Sequence, residues 1–214
     1  MFGVYARLLA EWNERMNLTT ITRPDEVMEK HFWDSLSIIE AFDIPQDESV
    51  IDVGSGAGFP GVPLKIARPD IKLTLLDSLG KRVRFLEEVS SVLGFDDVNI
   101  IHGRAEEVAQ ECEFREKFGV ATARAVAAMP VLAELCLPFV KPGGVFLALK
   151  GRESSQEISD AKAAVMALGG GEITMHSYTL PTVGKRNIYI IEKISQTPPK
   201  YPRKYAKITK SPLR

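Results

Sequence analysis

The thirteen residues from Ser49 to Gly61, S-V-I-D-V-G-S-G-A-G-F-P-G, restrict the fold of this chain more than any other stretch. Val50, Ile51 and Val53 form an apolar β-branched run that predicts a buried strand. Gly54, Gly56 and Gly58 then break it, and Pro60 and Pro63 stand where a helix can begin. Glycines in such a turn let the backbone approach a ligand, and the helix that follows points N–H groups at whatever is bound. Leu73, Leu75 and Leu76 lead into Asp77, so a second strand delivers a carboxylate about twenty residues beyond the glycines, where it can accept hydrogen bonds from a ribose diol. Together the two signals imply a nucleoside-bearing ligand.

Beyond this stretch, short apolar runs alternate with helical patterns: strands near 49–53, 71–76, 98–102, 118–123 and 144–149, helices from about 61, at 80–93, 105–110, 129–138 and 154–168. That alternation predicts an α/β chain with a mostly parallel sheet and ligands at the carboxyl ends of its strands. Two further strands, Glu172–Thr179 and Arg186–Lys193, have no helix between them and predict a C-terminal antiparallel hairpin. Two helices are expected before the glycine stretch, one over 2–15 and one opened by Pro24 and Asp25. The expected division is an N-terminal helical extension (1–45), a central domain (46–195) and a basic tail (196–214).

Gly56-Ala57-Gly58-Phe59-Pro60-Gly61 formally satisfies G-x-G-x-x-G, so an NAD-dependent oxidoreductase is one alternative. The longer segment, however, resembles motif I of the S-adenosylmethionine-dependent methyltransferases: Asp52 leads, and Gly54, Gly56 and Gly58 follow at every second position. A seven-stranded sheet that is mostly parallel and closed by a C-terminal hairpin is the class I, Rossmann-like topology of those enzymes, whereas a nicotinamide domain has no need of the hairpin.

Charge narrows the partner. The chain carries a net charge of −1, yet from Gly184 onward nine basic residues face a single acid, Glu192, so the end of the chain is strongly positive and the rest negative. A polyanion is expected at that end, and Tyr201 and Tyr205 interleaved with Arg203, Lys204 and Lys207 suit unpaired RNA bases and their phosphates. No apolar run is long enough for a membrane span, and Cys112 and Cys136 lack the spacing of a metal site or a disulfide framework. The expectation is a cytoplasmic, monomeric protein with no metal, no membrane and no DNA partner.

Candidate chemistry falls just after each strand: Gly54 and Phe59, then Asp77, Ser78, Leu79, Lys81 and Arg82, then Ala105 and Glu106, then Arg124, then Lys150 and Arg152. Arg124 is the candidate catalytic residue, since arginine at a strand tip is rarely a packing choice. Phe59 suits packing against the helix as well as against a ligand. Asn17, His31 and Asp34 suit a turn cap, a core histidine and a surface acid as well as a site. Neither cysteine sits in a strand-end P-C motif, and Ala121-Thr122-Ala123-Arg124 is no N-P-P-Y tetrad, so pyrimidine C5 and exocyclic-amine acceptors are disfavoured. An acceptor that already has a lone pair, such as guanine N7, needs only alignment and electrostatics.

Asn17-Leu18-Thr19, His31-x-x-Asp34-Ser35-Leu36, the glycine stretch, Leu75-Leu76-Asp77-Ser78, Arg124-Ala125-Val126 and Lys200-Tyr201-Pro202-Arg203-Lys204 together resemble the bacterial 16S ribosomal RNA guanine-N7 methyltransferases, over nearly the whole chain. The tail departs from that pattern at Ala206 and Ile208. The resemblance implies S-adenosylmethionine as cofactor and 16S rRNA or the 30S subunit as partner, with one guanine of the 530 loop methylated by direct displacement. It implies cofactor contacts at Gly54, Phe59, Asp77, Ser78, Leu79, Ala105, Glu106 and Arg124, beside the motif glycines Gly56 and Gly58. Expected RNA contacts are Asn17, His31, Lys81, Lys150, Arg152, Arg186, Tyr201, Arg203 and Lys204. Deleting 200–214 is expected to weaken RNA binding and spare the cofactor. The other alternative is a non-catalytic RNA-binding or ribosome-assembly protein that keeps the pocket.

Overall fold

A computed structural model describes residues 1–124, 127–151 and 155–213. Seven strands form one sheet in the order β3-β2-β1-β4-β5-β7-β6: β1 (Ser49–Val53), β2 (Lys72–Asp77), β3 (Asn99–His102), β4 (Phe118–Arg124), β5 (Val140–Lys150), β6 (Gly170–Leu180) and β7 (Gly184–Lys193). Pairing is parallel from β3 through β5, and β7 runs antiparallel to both β5 and β6. The chain winds outward from β1 to β3 and then returns to place β4 on the other side of β1. That reversal opens a crevice at the carboxyl ends of β1 and β4.

Side chains alternate across the sheet and build two apolar layers. Ile51, Val53, Ala121, Ala123, Phe146 and Ala148 face one layer, and Val50, Val120, Val145, Leu147 and Ile188 face the other. On the second layer lie α1 (Phe2–Met16), α4 (Gly61–Ala67) and α5 (Gly80–Leu93), with Tyr5, Leu9 and Phe85 buried among them. On the first lie α7 (Met129–Cys136) and α8 (Ser155–Ala167). The three segments expected from sequence share these layers: Tyr5 and Phe32 from the N-terminal helices complete one, and Tyr201 and Ile208 from the tail complete the other.

The second N-terminal helix changes pitch. It begins as α2 (Pro24–Val27), widens into a turn of π-helix over Met28–Trp33, and resumes as α3 (Asp34–Ala41). π turns inside α-helices often mark functional positions. This one carries His31, and Asp34 follows directly. Two further helices are short, α6 (Ala105–Val108) after β3 and α9 (Tyr205–Lys210) in the tail; α9 was not anticipated. No helix among the described residues is long and apolar enough to cross a membrane.

Candidate active site

The turn after β1 is built backbone first. Gly54 and Gly56 take φ of 73° and 61°, and the N–H groups of Gly54 and Ser55 donate to the carbonyl of Leu76 on the neighbouring strand. A side chain at Gly56 would meet nothing nearer than 3.9 Å, so its bare α-carbon leaves open space above the turn. Gly58 differs: a Cβ there would lie 2.7 Å from both the Tyr5 hydroxyl and Val62 Cγ2. The α-hydrogen side of Gly58 therefore packs against the core, whereas Gly56 leaves the space above the turn open.

Two carboxylates organise the cradle. Asp52 is fully buried, its Oδ2 accepting from the Gly61 N–H at 3.0 Å and its Oδ1 from the Thr122 hydroxyl at 3.1 Å. Burial pushes its carboxyl up to about 6, opposed by these donors. Asp52, on β1, thus ties the start of α4 and the neighbouring β4 together and closes the turn between β1 and α4. Asp77 accepts from Gly56 N–H at 2.8 Å and Leu79 N–H at 2.9 Å, with Arg82 Nη1 at 3.5 Å. Leu79 contributes that N–H while its side chain stays exposed.

Two cavities meet over this turn and share Gly54, Asp77 and Ser78 as walls. One, of about 220 Å³, is bounded by Val53, Leu76, Leu135, Ala105, Glu106 and Tyr205. The other, of about 420 Å³, is bounded by Gly56, Phe59, Thr19, His31, Arg82 and Arg124. Asp77 stands between them. The first-turn N–H groups of α6, at Ala105 and Glu106, precede its internal hydrogen-bond ladder and border the first cavity.

The second cavity has an ordered wall. Arg124 leaves the tip of β4 and donates from Nη1 to the Lys30 carbonyl and to Asp34 Oδ2, both at 3.1 Å, and from Nη2 to His31 Nδ1 at 3.0 Å. Its guanidinium lies 4.8 Å from the Phe59 ring centroid, and the His31 ring stacks on Phe59 at 4.3 Å with the planes 14° apart. Burial, then the Arg124 charge, lowers the His31 pKa to about 3, so the ring is neutral. With Nδ1 accepting from Arg124, the ring proton sits on Nε2, 2.9 Å from the Thr19 hydroxyl. Asp34, fully buried, also accepts from Tyr178 Oη at 2.7 Å and from Arg186 Nε and Nη2 at 3.1 and 3.2 Å. One carboxylate thereby gathers the N-terminal helix, β4, β6 and β7.

Sequence reasoning named the residues of this wall singly and missed their arrangement; Thr19 went unassigned although the Asn17-Leu18-Thr19 run had marked it. Asn17 caps α1 in the left-handed conformation at φ 48°, and Lys81 Nζ reaches the carbonyl of its neighbour Met16 at 3.3 Å, so both come to one exposed rim. Lys150 is turned to the Ala127 carbonyl at 2.9 Å and to Glu157 at 2.6 Å. Arg152 lies outside the described residues.

Most of the tail is docked. Tyr201, expected from sequence to stack on a base, is buried in the core. Arg203, expected from sequence to meet phosphate, donates from Nε and Nη2 to the buried Glu134 at 2.8 and 2.6 Å, so its charge is matched inside the fold. Lys204 stays exposed.

A cradle of this kind, set where the strand order reverses in a seven-stranded sheet with one antiparallel strand, defines a class I S-adenosylmethionine-dependent methyltransferase. A solved S-adenosylmethionine-dependent methyltransferase from Aquifex aeolicus superposes with a TM-score of 0.58 at 14% identity, covering 82% of this chain and 96% of its own. Within that class the chain belongs to the rRNA small subunit methyltransferase G family, whose model matches residues 1–189. Relatives named ribosomal RNA small subunit methyltransferase G are 53% identical in Alkaliphilus metalliredigens, over 98% of this chain and 88% of theirs, and 50% identical in Staphylococcus aureus, over 99% and 89%.

Proposed function

We propose that this enzyme moves the methyl group of S-adenosylmethionine to N7 of one guanine in the 530 loop of small-subunit ribosomal RNA, by in-line displacement with no covalent enzyme intermediate. The cofactor, when bound, supplies an electrophilic methyl group on a sulfonium. Asp77 holds the ribose hydroxyls, the Ala105 and Glu106 N–H groups meet the adenine edge, and Gly54 and Gly56 let the backbone approach the amino-acid end. Ser78 and Phe59 border the same path.

The observation that carries the acceptor assignment is that the titratable groups at the wall are already engaged. Both His31 nitrogens are hydrogen-bonded, and Asp34 faces two guanidiniums and a phenol. None of them stands ready to accept a proton, which suits an acceptor nitrogen that carries its own lone pair and loses no proton before attack. Cys136 is fully buried with its thiol pushed up by that burial, so it is no nucleophile. Arg124 makes three hydrogen bonds to protein, and a guanidinium has five donors, so two remain for the acceptor or the cofactor carboxylate. Alignment of this sort supplies roughly 7 to 11 kcal/mol of a displacement barrier. Asn17, Lys81 and Lys204, all exposed, are the proposed RNA contacts.

The test is transfer of labelled methyl to small-subunit RNA, naked and as 30S particles lacking the modification, with the product nucleoside identified. The expected product is 7-methylguanosine at a single 530-loop position. Label on another atom, or on large-subunit RNA alone, overturns the assignment.

A further inference from the structure

We propose that Tyr205 is an adenine-stacking residue, so that the C-terminal tail is a wall of the cofactor site. The proposal rests on the cofactor assignment above and adds to it a residue beyond the end of the family-model match at residue 189.

Tyr205 opens α9 and borders the smaller cavity together with Gly54, Asp77, Ala105 and Glu106. Its side chain is 42% exposed, although Ile208, one turn later on the same helix, is fully buried against the core. A short helix that buries one residue in the core and leaves an aromatic on the rim of a cavity presents a ring to whatever enters. The cavity offers apolar surface at Val53, Leu76 and Leu135 beside polar groups at Asp77, Ser78, Arg104 and Glu106, a mixture that suits a purine plane joined to a ribose.

The position of α9 is fixed by its anchors. Arg115 donates from Nη1 to the Tyr201 carbonyl at 2.8 Å and from Nη2 to the Thr197 carbonyl at 2.7 Å, and Gln110 Nε2 donates to the Pro202 carbonyl at 2.9 Å. Arg203 is clamped on Glu134 by both its backbone N–H, at 2.9 Å, and its guanidinium. Gln110 and Arg115 follow α6, and Glu134 lies on α7, so the strap crosses the elements that line the cavity. Tail and cofactor pocket are therefore one structure, and removal of residues 200–214 weakens cofactor binding as well as RNA binding.

The experiment uses full-length Tyr205→Ala and Tyr205→Phe with S-adenosylhomocysteine as the probe, measured by titration calorimetry and by the bound adenine H2 and H8 resonances. An aromatic stack on one base is worth enough to set affinity by roughly tenfold. Tyr205→Ala is expected to bind about tenfold more weakly with the adenine resonances moved downfield of their wild-type bound positions, and Tyr205→Phe to match wild type in both. Unchanged affinity in Tyr205→Ala, or a loss with unmoved adenine resonances, overturns the stacking role. Failure of wild type itself to bind S-adenosylhomocysteine would instead strike the cofactor assignment.

Discussion

Arg124 Nη2 lies 3.0 Å from His31 Nδ1, so a guanidinium donates to the lone pair that a proton would otherwise take. Burial and this cation hold the His31 pKa near 3, against an ordinary value of 6.5. Below pH 6.5 the unfolded chain binds a proton that the folded one refuses, so the stability His31 contributes is complete above about 6.5 and is lost as the pH falls toward 3. At about 1.4 kcal/mol per pH unit the loss across that window reaches a few kcal/mol. His31→Gln removes the titration, and the gap between the two unfolding curves should close or reverse as the pH drops. Nitrogen NMR should show a neutral ring with its proton on Nε2 at pH 6; a charged imidazolium there would refute the assignment.

Asp34 is the second half of the same arrangement. It faces Arg124 and Arg186, whose side chains are 10% and 21% exposed, with no exposure of its own. Asp34→Asn removes the charge that balances both guanidiniums and leaves them desolvated, which costs about 3–5 kcal/mol when a buried pair loses one partner. The expected result is a large drop in urea midpoint together with weakened methyl transfer, since Arg124 loses its anchor. A loss under about 1 kcal/mol would mean that water reaches the pair, as it does for surface ion pairs.

The glycines separate folding from binding. Gly58→Ala places a methyl group 2.7 Å from Tyr5 and Val62 at φ 92°, and overpacking with left-handed strain should destabilise the fold by about 2–4 kcal/mol. Gly56→Ala meets open space and carries only the strain of φ 61°, about 1 kcal/mol, but its methyl group projects into the space proposed for the cofactor. Thermal melts should single out Gly58→Ala, and calorimetric titration with S-adenosylhomocysteine should single out Gly56→Ala. The reverse order would exchange the roles of the two positions.

Much of this was legible in the sequence because it is local. Val50 to Gly58 declares strand and turn through residue type alone, and Asp77 is placed by the next strand, so the cradle could be drawn before the fold was known. Asp34 was harder. Its partners Arg124, Tyr178 and Arg186 lie 90 to 152 residues away, and only the sheet order brings them together. The docking of the tail was not legible from its charge for a physical reason: composition reports charge but not pairing, and Arg203 finds its counter-ion in Glu134, 69 residues earlier. The signal of docking was present as Tyr201, Ile208 and Leu213, apolar positions spaced through a basic segment, which pack into or against the core.

The tail's charge divides, among the described residues, between paired and exposed groups. Arg203 is held inside with Glu134 as its partner, while Lys200, Lys204, Lys207 and Lys210 are exposed before and along α9. If these four meet phosphates of single-stranded RNA, the slope of log affinity against log salt should be roughly −3. Replacing Lys204, Lys207 and Lys210 with Gln should lower its magnitude by roughly 2, and it should leave the affinity for S-adenosylhomocysteine within about twofold, because surface substitutions of this kind rarely disturb packing. The contrast with Tyr205→Ala is the point of the measurement: one set of changes on α9 should touch RNA alone, and a single change on the same helix should touch the cofactor. An unchanged salt slope in the triple variant would place the phosphate contacts elsewhere, with the rim at Asn17 and Lys81 as the next surface to alter.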